Sequence, residues 1–183
     1  KLVLHPAEFD LPEFVRAVEA VFHPRARDKN LLLETAFAAH LPPVVVGDAQ
    51  RLRQVVFNLL SNAVKFTRHG GVIFSVEPAS AGRIRFSVSD SGPGIATEEQ
   101  SRLFEPFAQI GDHRLHAEGT GLGLNVSRGI VEQMGGTLQV ESRAGWGSRF
   151  WFEIPLPAAT GAMASPVATP RQIIGYTGAR RSV

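Results

Sequence analysis

The stretch Asp48-Ala-Gln-Arg-Leu-Arg-Gln-Val-Val-Phe-Asn-Leu-Leu-Ser-Asn-Ala-Val-Lys-Phe-Thr67 decides how this chain is read. Leu52, Val55, Val56, Leu59, Leu60, Ala63 and Phe66 recur at three- and four-residue steps, the period of a helix with one buried face. Asp48 is placed to cap the start, and Thr67 with Gly70 and Gly71 marks the end. Gln54, Asn58, Asn62 and Lys65 form a second stripe, so their side chains point the same way. Asparagine is a poor helix former because its amide competes for backbone groups, so two of them one turn apart cost stability unless they do something. Two readings of the stripe stand at this point. It is a polar surface or an amide network, or it is a site where a carboxamide oxygen ligates Mg²⁺ and Lys65 meets a phosphate.

Upstream of this helix, Phe9-Asp10-Leu11-Pro12-Glu13 reads as another helix start, with Asp10 as cap and the apolar face carried by Phe14, Val15, Val18 and Val21 to about Arg27. Residues 31–37 are expected to form a strand, and residues 41–46 an extended connector into Asp48. Downstream, Val72–Glu77 and Arg83–Ser89 are strand candidates joined by a hairpin-like loop, the second with period-two alternation. Asp90-Ser-Gly-Pro-Gly94 then makes a tight loop where backbone can approach a ligand closely. Thr97 is expected to cap a short helix over Glu98–Leu103, ahead of Phe104-Glu-Pro-Phe107. The aperiodic polar segment Ala108–Glu118 reads as a loop of the kind that closes over a ligand. Gly119-Thr-Gly-Leu-Gly-Leu124 opens a helix to Met134, and strands Thr137–Ser142 and Ser148–Ile154 meet at a Gly145-Trp-Gly147 turn. From Pro155 the composition is that of a linker. Antiparallel hairpins with helices between them favour an α+β fold with helices on one sheet face.

The 183 residues suffice for one domain with a tail, and 44% hydrophobic composition supports a core. No apolar run approaches the ~20 residues of a membrane span, and the first residues do not read as a signal peptide. Cysteine is absent, which excludes disulfides and thiolate zinc sites and fits a reducing compartment. A net charge of +2, without a Lys/Arg cluster interleaved with aromatics, does not mark a nucleic-acid binder.

The glycine cluster at 119–123 has G-x-G-x-G spacing, and no strand precedes it, so a dinucleotide-binding fingerprint is rejected. Glycines at a helix start still expose N–H groups suited to phosphate. Phe104 and Phe107 read as core anchors. His113 and His116 lie in the aperiodic loop, where a metal site is not expected. Arg114 follows His113 without the aspartate of a protein-kinase catalytic loop, and no P-loop occurs.

In order, these motifs resemble the catalytic ATP-binding domain of bacterial sensor histidine kinases, within the GHKL group of ATPases. Residues 58–67 resemble its N box, Asp90–Gly94 its G1 box, Phe104–Phe107 its F box and Gly119–Gly123 its G2 box. The resemblance spans roughly Phe9 to Pro157. It implies a Bergerat fold, a two-layer α/β sandwich with a mixed, mostly antiparallel sheet, three main helices on one face and a flexible ATP lid. A catalytic domain over residues 1–157 would precede a linker or tail over 158–183 leading to a receiver domain, as in hybrid kinases.

The resemblance also assigns roles. Asn62 would hold Mg²⁺, Asn58 would help orient metal and phosphate, and Lys65 would contact phosphate. Asp90 would recognise the adenine amino group, with Gly92 and Gly94 giving the base room. Gly119, Thr120, Gly121, Leu122 and Gly123 would form the phosphate-binding turn. The implied activity is transfer of the γ-phosphoryl group of ATP to a histidine on a separate dimerisation domain, in a homodimeric cytoplasmic or membrane-anchored protein. The implied partners are that domain and a receiver domain or response regulator, with no nucleic acid and no direct membrane contact. No histidine here has the surroundings such a phosphoacceptor needs, so this chain alone is not expected to autophosphorylate. The alternatives are a nucleotide-binding regulatory module and a GHKL-type ATPase. The ATPases carry a glutamate base one turn before the metal asparagine, and Asn58 stands there.

Overall fold

The computed structural model describes residues 3–105 and 122–159. The central helix forms as its pattern requires: α2 spans Ala49–Phe66, and the Asp48 carboxylate accepts a hydrogen bond from the Arg51 N–H at 2.9 Å. Leu52, Val55, Val56 and Leu60 are essentially inaccessible to solvent. The first helix, α1, spans Leu11–Asp28 behind its Asp10 cap. It runs through Pro24, because both Pro24 and Ala20, whose carbonyl loses its helical donor, face solvent.

The main sheet has the order β2-β4-β5-β7-β6. Its strands are β2 (Leu32–Phe37), β4 (Gly71–Pro78), β5 (Arg83–Asp90), β6 (Leu138–Arg143) and β7 (Gly147–Pro155). Only the β2–β4 pair is parallel, so the sheet is mixed and mostly antiparallel. Alternation along the strands sends Val72, Phe74, Val76, Ile84, Phe86, Val88, Phe152 and Ile154 to the side covered by α1, α2 and α4 (Gly123–Gln133). Phe86 and Phe152 stack there at 5.3 Å between ring centroids. Each large side chain removed from water contributes about 1.5–3 kcal/mol. The opposite face is polar, with Arg85 paired to Glu153 and Glu77. The fold is α+β, as expected.

Several local expectations are corrected. Residues 41–46 are not merely a connector: Val44–Gly47 forms β3, which pairs antiparallel with β1, Ala7–Asp10. Four-residue strands are too short to show a period. The chain does not loosen at Pro155. Leu156 is 2% exposed, Val46 donates to the Pro157 carbonyl, and Ala159 donates to the Val44 carbonyl. Thr97 is the first residue of the short helix α3 (Thr97–Gln100), whose cap position is Ala96, and the helix ends before Leu103. The expected lid (residues 108–118), Phe107, His113, His116, Gly119, Thr120, Gly121 and the tail beyond residue 159 lie outside the described residues. Among the described residues no helix is long and apolar enough to cross a membrane.

Candidate functional site

The polar stripe on α2 divides into parts with different surroundings. Gln54 is exposed and accepts a hydrogen bond from Arg51, so it belongs to the surface. Asn58 is half-buried against α4, and its amide nitrogen donates to the Ser127 hydroxyl at 3.0 Å. Its amide oxygen occupies the space where Gly123 would carry a side chain. Any other residue at position 123 would collide with Asn58, which is a physical reason for glycine there. Asn62 is half-buried, and no hydrogen bond to a protein group is found for its amide among the described residues. The Lys65 ammonium lies 5.1 Å from the centre of the Phe66 ring. Lys29 reaches across from the end of α1 and donates to the Val64 and Lys65 carbonyls, each at 2.8 Å. This satisfies carbonyls that have no intrahelical partner and holds the last turn of α2 in place.

Asp90 stands at the end of β5, the central strand, where the chain leaves the sheet. Its carboxylate accepts a hydrogen bond from the Gly92 N–H at 2.8 Å, an Asx turn that closes the glycine loop. Burial drives the Asp90 carboxyl above the usual range, although the backbone N–H groups of Gly92 and Ser148 pull the other way. A half-buried acceptor at a strand end, next to glycine, suits a ligand that brings a hydrogen-bond donor.

The loop after Asp90 is fastened to the β6–β7 turn. Gly145 donates to the Pro93 carbonyl at 2.6 Å, and Ile95 donates to the Ser142 hydroxyl at 2.8 Å. Gln100 ties the Ile95 and Ser142 carbonyls together. Gly94 takes a positive φ of 67° with its α-hydrogens against the Arg143 carbonyl. On its other side the loop meets the end of α2. A Cβ on Gly92 would lie 2.7 Å from an Asp90 carboxylate oxygen and 3.4 Å from the Thr67 hydroxyl. The structure thus brings Asn58 together with Gly123, and Asp90 together with Gly92 and the C-terminus of α2. Leu122 occupies the cap position of α4 without a side-chain hydrogen bond. Phe104 packs against the core beneath Arg128, and its carbonyl accepts from the Asn125 amide at 2.9 Å. Ser127, Asn125 and Ser142 went unnoticed in the sequence, because single polar residues inside apolar periods carry no signal of their own.

Among the described residues no group of three or more His, Cys, Asp or Glu side chains could hold a metal ion. The donors on α2 are neutral carboxamides. Such a set fits a hard cation that arrives with phosphate oxygens and water, the way Mg²⁺ is ordinarily held, and does not fit a resident all-protein metal centre.

Residues 47–158 match the model of the histidine kinase-, DNA gyrase B- and HSP90-like ATPase family. The chain is 39% identical over 177 residues to the sensory/regulatory protein RpfC of Xanthomonas campestris, covering 93% of this chain and 24% of that protein. It is 39% identical over 167 residues to hybrid signal transduction histidine kinase C of Dictyostelium discoideum, covering 85% of this chain and 14% of that protein. The chain therefore spans a quarter or less of these curated relatives. Among solved structures, full-length ShkA in complex with AMPPNP superposes with a TM-score of 0.74 at 38% identity, covering 87% of this chain and 32% of that one. With the asparagine helix, the glycine loop after Asp90 and Gly123 arranged as described, the chain belongs to the histidine kinase-, DNA gyrase B- and HSP90-like ATPase family, on the histidine-kinase side of it.

Proposed function

We propose that this chain is the ATP-binding catalytic domain of a hybrid sensor histidine kinase. It binds Mg-ATP and donates the γ-phosphoryl group to a histidine of a separate dimerisation domain. The observation that carries the reading is the pair of half-buried asparagines on α2, one of them packed on Gly123, with the half-buried Asp90 carboxylate beside the C-terminal end of the same helix. Asp90 accepts a hydrogen bond from the exocyclic amine of adenine and Gly92 lets the base lie against backbone, while Gly94 lets the loop close onto the Arg143 carbonyl. Asn62 would hold Mg²⁺, with Asn58 and Lys65 oriented toward the phosphates and the start of α4 donating N–H groups. Bound Mg²⁺ supplies charge neutralisation on the phosphates. In the transfer the bond from the γ-phosphorus to the bridging oxygen breaks as the bond to the imidazole nitrogen forms, and ADP departs. Positioning and electrostatics are most of what the protein contributes to such a step.

The ShkA complex contains an ATP analogue, and one relative is named a hybrid kinase. These support ATP as the nucleotide and a receiver domain as the next partner in the relay. A hydrolytic reading is disfavoured because Asn58, bonded to Ser127, offers no carboxylate to activate water.

The test is calorimetric titration of Mg-ATP into this chain and into Asp90→Ala and Asn62→Ala variants, followed by incubation with a separately prepared dimerisation domain. Micromolar affinity, about −8 kcal/mol, is expected for the wild type, with binding lost in Asp90→Ala and Mg²⁺ dependence lost in Asn62→Ala. Transfer should yield acid-labile phosphohistidine on the added domain. Binding without transfer would make the chain a nucleotide-sensing module, and steady ATP hydrolysis by the chain alone would move it to the ATPases.

A further inference from the structure

Ser127 is 1% exposed, sits on the second turn of α4, and is the partner of the Asn58 amide nitrogen at 3.0 Å. A carboxamide has a donor end and an acceptor end of nearly the same shape, and only the acceptor end can face a cation. Something must therefore decide which end of Asn58 faces the start of α4, where its oxygen lies against Gly123. The Ser127 oxygen accepts from the amide nitrogen, and that leaves the acceptor end of the carboxamide for the neighbouring turn. Gly123 completes the arrangement, since its missing side chain leaves room for the Asn58 oxygen beside the first turn of α4.

We infer that Ser127 is a positioning residue that locks the Asn58 carboxamide with its nitrogen on the second turn of α4 and its oxygen at the first turn, on the metal–phosphate side of the nucleotide site. The inference rests on the proposed Mg-ATP function and adds a residue to it. Ser127 itself touches neither metal nor nucleotide. Its effect is confined to the metal-linked part of binding, because Asp90 and the glycine loop read the base independently of α4.

The readout is the ratio of ATP dissociation constants measured by calorimetry in EDTA and in Mg²⁺. Ser127→Ala should shrink that ratio about fivefold, the ordinary worth of one neutral hydrogen bond, while leaving the EDTA value within about twofold of the wild type. Ser127→Thr, which keeps the hydroxyl, should restore the ratio. In an Asn58→Asp background both side-chain oxygens are acceptors, so adding Ser127→Ala should leave the ratio unchanged. The assignment is overturned if Ser127→Ala keeps the wild-type ratio. It is equally overturned if that variant weakens ATP alike with and without metal, the mark of a packing role. Wild type that binds ATP equally well in EDTA would sink this inference while leaving the base site standing. Wild type that binds no ATP would sink the proposed function itself.

Discussion

Two glycines allow the fastening of the loop after Asp90 to be measured. Gly94 and Gly82 have nearly equal positive φ angles, 67° and 70°. A Cβ at Gly82 meets nothing within 4 Å, whereas one at Gly94 runs into the Arg143 carbonyl and lies 3.1 Å from the Ala144 Cα. Alanine at either site carries the left-handed backbone cost of about 1–2 kcal/mol, partly offset by about 0.4–1 kcal/mol from a stiffer unfolded chain. Gly82→Ala should therefore cost about 1 kcal/mol. At Gly94 the obstacle is backbone, and it cannot withdraw without breaking the Gly145-to-Pro93 and Ile95-to-Ser142 hydrogen bonds. That overlap adds about 1–3 kcal/mol, for a total of about 3 kcal/mol and a melting temperature lower by about 9 °C, against about 3 °C for Gly82→Ala. Urea titration followed by the fluorescence of Trp146 and Trp151 gives both values, with unchanged m confirming that the two states are comparable. Equal losses within about 0.5 kcal/mol would refute the argument that the loop is pinned against the β6–β7 turn.

Asp90→Asn should separate stability from binding. Burial raises the folded-state pKa of Asp90, so between its ordinary 3.8 and that raised value the native state holds the proton more tightly, and stability falls as pH rises through the window. Asparagine removes the buried charge, so the variant should melt higher than wild type at pH 7, with the advantage fading toward pH 4, yet bind ATP more than about tenfold more weakly. Asp48 runs the other way. Burial alone would raise its pKa, but the N–H groups of His5, Arg51 and Gln50 and the Arg51 charge outweigh it, and the carboxyl ends below 3.8. Its stabilisation is complete above that value and is lost as pH falls through the depressed folded value. Asp48→Ala, which removes the α2 cap and the acceptor for His5, should cost about 2 kcal/mol at pH 7, and the gap from wild type should narrow in chemical denaturation below pH 4.

What could be read in the sequence was whatever repeats. The apolar positions of α2 and the alternation through Arg83–Val88 each state a period over several residues, and both elements form there, with Val64 buried in place of Phe66 at the end of the helix. The glycines read in the sequence as places where backbone approaches a ligand, whereas the structure puts protein groups in the space a side chain would take, Asn58 at Gly123 and Arg143 at Gly94. The β1–β3 ribbon was not legible, because four residues do not establish a period and its pairing joins segments far apart in the chain. Ser127 and Ser142 were hidden for another reason. Their importance lies in which partner they reach, and that is fixed by the packing of α4 and β6 rather than by neighbours in sequence.

The short ribbon has a consequence for how the domain can be wired. Strand β3 is gripped on one side by β1 and on the other by a single antiparallel bridge from Ala158 to Val45. Residues 7–10 and 157–159 therefore flank β3 in parallel, two strand spacings or about 10 Å apart, the first starting beside Gly47 and the second running past Val44. With the chain entering at one end of β3 and leaving at the other, the domain would sit in line within a longer polypeptide, its two leads pointing opposite ways. A circular permutant reopened at the Ser80–Gly82 turn would need a joining segment that spans both the width and the length of the ribbon, with the α2 and Asp90 geometry left intact.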